Sequence, residues 1–347
     1  MRQIIARLLA TEGSAITVAL VAAVVIFTVL NPVFLEPSNL TNVVVQSMFI
    51  LLIAVGMTFV LASGAIDLSV GGVLGVSGGI ATLVLLSGQS FVVAIVAGLA
   101  TGLAFGVLNG VLIARLGLSD FIVTLGTMSV AAGLLEIISF LQPLRAPEGS
   151  MLFTGLARGW FAGIPIPLLI GVPIVLLMEV VLRRFEFGRR VRAVGMSPAA
   201  ARLAGINVRR IRVTVFAVSG LLAGAAGVLL AARLASVPPQ LGRGYELQAI
   251  AAAVLGGTSL AGGKGSAIGS AVAALLLGTI NTGLQVIGLD PTWYQVAVGA
   301  SILVAVGFHL WSDRFVEETE VEQNRKRRDS DPLAGDRRSR TPVKPGV

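Results

Sequence analysis

At 347 residues, with 55% hydrophobic and only 13% charged residues and a mean hydropathy of +0.90, this chain is far more apolar than a soluble domain. It has no cysteine, which excludes a disulfide framework, a thiol nucleophile and a cysteine metal site. The net charge of +8 sits in loops and in the tail after Trp311, a distribution that suits anionic lipid headgroups on one membrane face and not a nucleic acid.

The chain opens with Arg2 and Arg7 and an apolar run at 15–30. A signal peptide is the competing reading. The run is longer than a signal core, lacks a clear small-residue cleavage site and is followed by many similar runs, so it is taken as the first span. A polar, Pro-containing link, NPVFLEPSNLTN, leads to a second span at 43–62. Further spans fall at 69–86, 91–113, 121–141, 164–182, 213–232, 247–260, 266–287 and 293–310. The eighth is short against the usual ~20 residues. Its shortness and the glycines of LGGTSLAGGKG predict a half-helix or broken helix, a backbone that survives at membrane depth only inside protein or beside a water-filled path. The fold class is an all-α polytopic membrane protein of about ten transmembrane helices, some short or broken.

With the N-terminus in the cytoplasm, 22 of the 26 basic residues fall on cytoplasmic segments, and only Arg145, Arg158, Arg233 and Arg243 lie elsewhere. That satisfies the positive-inside rule, and an even span count returns the C-terminus to the same side. Residues 1–312 read as the transmembrane domain, and 313–347 as a cytoplasmic tail with too little apolar content to fold.

The longest polar interruption, 183–212, carries nine arginines. Within it, Ser197 is a suitable N-cap, Pro198 suits the first helical position and Gly205 suits the left-handed residue past the end. Ala199, Ala200, Ala201, Leu203 and Ala204 favour helix and leave one small apolar face. About two turns are marginal alone in water, so the helix needs something to dock against. Spacing by itself leaves open a well-capped loop with no partner.

Catalytic patterns are missing. GGKGS at 262–266 departs twice from the phosphate-binding loop pattern, at Thr258 and Gly265. A single histidine, His309, rules out a histidine triad or a multi-histidine metal site and reads as an interfacial residue. No two carboxylates stand at catalytic spacing on one helix, and no metal site is expected.

Ionisable or amide groups inside spans are functional candidates by default. Glu179 stands one turn before Arg183 and reads as a structural pair with it. Glu136 has no basic residue a turn away, so it needs a partner from another helix, access to the outer surface, or a proton. Asp67, in GAIDLSVGG with Ser69, reads as a cap for the third span in preference to a substrate contact. Asn109 and Asn281 can join helices by hydrogen bonds or line a path, bundle packing being the favoured role.

Several of these segments together resemble the permease subunits of bacterial ATP-binding-cassette importers, in the family that includes the ribose, xylose and autoinducer-type sugar permeases. The matching pieces are GAIDLSVGG at 64–72, NGVLIARLGLSDFIVTLGTMS at 109–129, FGRRVRAVGMSPAAARLAGINVRRIR at 187–212, VFAVSGLLAGAAG at 215–227 and GRGYELQAIAAAVLGGTSLAGGKGS at 242–266. The resemblance runs from about residue 54 to 306. Ala65 departs from a frequent Gly, Ser197 from a frequent Asn, and Ala132 from a frequent Arg.

The resemblance implies that Ser197, Ala199, Ala200, Arg202, Leu203, Ala204 and Gly205 form a coupling helix docked on a separate ATP-hydrolysing subunit. ATP and Mg would then belong to that partner, and this chain would bind no cofactor and catalyse nothing. It implies a second permease copy (the same chain or a paralogue), a periplasmic or lipid-anchored binding protein delivering a monosaccharide or polyol, and residence in the bacterial plasma (inner) membrane. A branched-chain amino-acid permease is the nearest rival. A membrane-embedded enzyme would need clustered acids, histidines or a metal motif.

Overall fold

The computed structural model describes residues 14–300 except 291, 292 and 295. Six helices in it are long and apolar enough to cross a membrane, and three shorter apolar helices accompany them. The tenth expected span enters this range only at its start, where residues 293, 294 and 296–300 are helical; the rest of it, His309 and the tail lie outside the described residues.

Helix α1 (Ser14–Leu30) is followed by a 3-10 turn at Pro32–Leu35, capped by the Asn31 side chain. The second half of the polar link then folds into α2 (Pro37–Ala62), which starts earlier than hydropathy predicted because Pro37 suits a first helical turn. From Ser47 to Ala62 every residue of α2 is buried, as expected of a helix that is apolar all round and runs through the centre of a bundle. After a short break come α3 (Val70–Leu86), α4 (Phe91–Leu116) and α5 (Asp120–Ser139).

At the far end, the two-residue strand β1 (Leu144–Arg145) leads to the short helix α6 (Met151–Arg158). A tight hairpin of β2 (Trp160–Phe161) and β3 (Ile164–Pro165) turns through Ala162 and Gly163, both at positive φ. Helix α7 (Ile166–Arg184) returns to the basic end, where α8 (Glu186–Met196) and α9 (Pro198–Leu203) lie. Helix α8 was not foreseen. It is amphipathic, burying Gly188, Val191, Val194 and Gly195 and exposing its arginines at 189 and 190.

Next is α10 (Val208–Leu234), which begins five residues before the predicted span because the Asn207 side chain accepts from Arg210 N at 3.0 Å. Strand β4 (Ser236–Val237) pairs antiparallel with β1, Leu144 opposite Val237. Then come α11 (Tyr245–Leu255), shorter still than the predicted 247–260, and α12 (Ala267–Val286).

The bundle closes where glycines let backbones touch. A Cβ on Gly102 of α4 would lie 2.3 Å from the Gly220 carbonyl oxygen of α10, and one on Gly106 would lie 2.3 Å from that of Phe216. Small residues one turn apart on both helices give contact that larger side chains would prevent.

Candidate functional site

The basic end is assembled from three chain breaks. Phe187 of α8 stacks on Phe59 of α2, with ring centroids 6.1 Å apart. One residue before α8 ends, Gly195 leaves no room for a Cβ, which would meet the Ala62 carbonyl oxygen at 2.0 Å. That same carbonyl accepts from Gly263 N at 3.0 Å. The C-terminus of α8 is thus wedged between the α2–α3 break and the α11–α12 break.

Helix α9 projects from this junction with the caps predicted for it. Ser197 is extended (φ −161, ψ 104) and its hydroxyl accepts from Ala200 N at 3.2 Å; Pro198 begins the helix, and Gly205 has φ +79. Ala201 faces inward and is buried. Ala199, Ala200, Arg202, Leu203, Ala204 and Gly205 are exposed, Leu203 at 92% and the neighbouring Met196 at 78%. Two large apolar side chains so exposed, one on a capped helix and one just before it, among arginines, form a surface that gains from a partner.

Inside the bundle, Asp67 is buried, but it does not cap α3. The N-cap is Ser69, whose side chain makes no capping bond. Asp67 instead accepts from Ser69 N at 3.0 Å and Ser69 Oγ at 2.6 Å through one oxygen, and from Ser219 Oγ of α10 at 2.9 Å through the other. Asn109 of α4 donates to Ser69 Oγ at 2.8 Å. Four polar residues from the break, α4 and α10 form one buried network. Asp120, at the start of α5, holds the same break by accepting from Ile66 N at 2.7 Å.

Glu179 pairs with Arg183, as the spacing predicted, and also accepts from Ala267 N at 2.7 Å and Ile268 N at 3.1 Å. It therefore caps α12 together with Ser266, whose hydroxyl accepts from Gly269 N at 3.0 Å. Glu136 finds its partner from outside its own helix, in Arg243. Among the described residues Asn281 bonds within its own helix and not to another: its oxygen accepts from Gln285 Nε2 at 2.7 Å. Glu246, in the first turn of α11, was missed; its Oε1 accepts from Gly244 N at 3.1 Å. The signal available was an acid opening a short, glycine-flanked apolar run. Among the described residues no group of three or more His, Cys, Asp or Glu could hold a metal ion.

Apolar helices around a buried polar network, with two interrupted helices and an exposed capped helix at a basic end, define a multi-pass membrane permease. The sequence matches the family of the branched-chain amino acid transport system, permease component, over residues 39–307, and the chain belongs to it. It is similar to the ribose import permease protein of Bacillus subtilis strain 168, 43% identical over 283 residues, covering 82% of this chain and 88% of that protein. The ribose import permease protein of Escherichia coli K12 is 38% identical over 296 residues (83% and 91%). The D-allose transport system permease protein of the same strain is 36% identical over 284 residues (81% and 86%).

Proposed function

We propose that this chain is the membrane-spanning subunit of an ATP-binding-cassette importer for a monosaccharide or related polyol. The observation that carries this reading is the similarity, over more than four fifths of the chain, to permeases of ribose and allose import. An L-arabinose permease at 38% identity extends the same substrate class.

In this reading two copies, identical or paired with a paralogue, enclose the path in a bacterial plasma (inner) membrane, with both termini in the cytoplasm. A separate ATPase, carrying ATP and Mg, docks on α9 through Ala199, Ala200, Arg202, Leu203 and Ala204, while Ser197 and Gly205 fix the helix ends. A periplasmic or lipid-anchored protein delivers the sugar at the opposite end. ATP binding and hydrolysis bias the path between outward and inward openings, a two-state population shift. The buried residues Asp67, Ser69 and Asn109 hold the α2–α3 break in register during that shift. Residues 313–347 are a cytoplasmic tail outside the transport domain.

The family's description favours a second reading, import of a branched-chain amino acid. Uptake by the reconstituted permease, ATPase and cognate binding protein, offered pentoses, hexoses, polyols and leucine in turn, decides between them. Sugar or polyol uptake is expected; uptake of leucine alone would overturn the sugar reading.

A further inference from the structure

The two interrupted helices begin at the same place. At 1.5 Å per residue, α3 with 17 residues and α11 with 11 reach about 25 and 16 Å, short of the ~30 Å of a hydrocarbon core. Their first turns are in backbone contact: a Cβ on Gly242 would lie 2.0 Å from the Gly71 carbonyl oxygen, and one on Gly71 would lie 2.2 Å from Glu246 Oε2. This meeting point is inside the bundle. Gly72 sits against the carbonyl of Met128, near the middle of α5.

Glu246 stands at that contact, and three residues before it Arg243 pairs with Glu136 of α5. Glu246 is half-buried, and its bond to Gly244 N is an internal one; among the described residues no side chain of another element donates to it. Arg243, one peptide before Gly244, reaches Glu136 on α5, and this pair is open, with 60% of the Arg243 side chain and 32% of the Glu136 side chain accessible. Charges held within apolar helices have a cost that function must explain, and transporters place substrate where helices are interrupted near mid-bundle. Glu246 and the Arg243–Glu136 pair offer acceptors and a forked donor on the chain entering α11 and on the α5 helix, the set that pairs with adjacent hydroxyls of a neutral polyol.

We propose that Glu246, Arg243 and Glu136 form a station at which the permease itself hydrogen-bonds its substrate between delivery and release. The assignment rests on the sugar-import reading for the class of ligand. It goes beyond it in giving the permease, and not only the delivery protein, a part in recognition.

The test uses Glu246→Gln. Glutamine keeps an oxygen to accept from Gly244 N, so the start of α11 is preserved while the charge and one acceptor are lost. The permease–ATPase complex is purified into nanodiscs without binding protein, and thermal unfolding is followed with and without D-ribose at tens of millimolar. Wild type is expected to be stabilised by the sugar. Glu246→Gln is expected to unfold at the wild-type temperature without sugar and to lose the sugar-dependent shift. With binding protein added, sugar moved per ATP hydrolysed should fall about tenfold or more, the scale of one lost charge-assisted hydrogen bond. Should that variant fail to accumulate, Glu136→Gln, on a different helix, is expected to lose the same shift. A variant that keeps both the shift and wild-type uptake overturns the station. Wild type that imports leucine and no sugar overturns the functional reading instead, so the two failures are distinct.

Discussion

Asp67 accepts three hydrogen bonds in the interior of the bundle, from Ser69 N, Ser69 Oγ and Ser219 Oγ, and the chemistry of those donors decides which substitutions it tolerates. Asparagine keeps one oxygen for Ser69, and the Ser219 hydroxyl can rotate to accept from the new amide. Asp67→Asn is therefore expected to accumulate normally and to retain uptake. Asp67→Leu leaves the buried Ser69 N–H and two hydroxyls without this acceptor, at about 1–3 kcal/mol for each group left unsatisfied, and should unfold at clearly lower temperature in detergent. Loss of uptake in Asp67→Asn at wild-type protein levels would instead place the charge itself on the path. The sequence showed that Asp67 stood beside a helix start, but not that its second oxygen meets Ser219, because 152 residues separate them. Glu179 is similar: its pair with Arg183 could be read one turn away, while its capping of α12 across 88 residues could not.

Among the elements, α4 and α10 make the sharpest test of glycine packing. Gly102→Ala forces a Cβ to within 2.3 Å of the Gly220 carbonyl oxygen, a backbone atom that cannot swing aside. Overpacking of this kind typically costs about 1–3 kcal/mol. Gly126 and Gly133, inside α5, have nothing within 4 Å of the added Cβ. The same substitution there should be neutral or stabilising, by up to about 1 kcal/mol, because alanine is the better helix former. Thermal unfolding of the three variants checks the contrast, and equal destabilisation at all three positions would refute the packing account. Hydropathy located the long apolar helices and anticipated the shortness of α11, since both follow from composition along one stretch. It missed α8, where Glu186 and the arginines at 189, 190 and 192 mask the apolar face of Gly188, Val191, Val194 and Gly195 that packs on the bundle. It also missed the β1–β4 pairing, which joins two-residue strands separated by 90 residues of other elements.

At the scale of the whole molecule, the breaks after α2, after α8 and after α11 converge on one junction, with Gly195 beneath Ala62 and Gly263. In the proposed importer, a push on α9 would pass through these backbone contacts to both interrupted helices, α3 and α11, and thus toward the interior network and the start of α11. In the proposed importer α9 would transmit motion and would not touch substrate. Ala200 and Leu203 are exposed, so Ala200→Glu and Leu203→Glu introduce no clash among the described residues, whereas Ala201 is buried and is unsuited to the test. On a docked ATPase the new carboxylate would be desolvated without a partner, which is costly. Both variants are expected to insert and unfold like wild type, to retain less ATPase on copurification, and to lose at least about tenfold in uptake, while capture of sugar by the separate binding protein is unchanged. The arrangement predicts a further separation from the Glu246 variant. Glu246→Gln should keep its ATPase and lose the sugar-dependent thermal shift; Ala200→Glu should lose its ATPase and, as isolated permease, keep that shift. If both α9 variants assemble and transport as wild type does, the exposed helix is not the coupling surface, and the route from ATPase to interior must enter elsewhere.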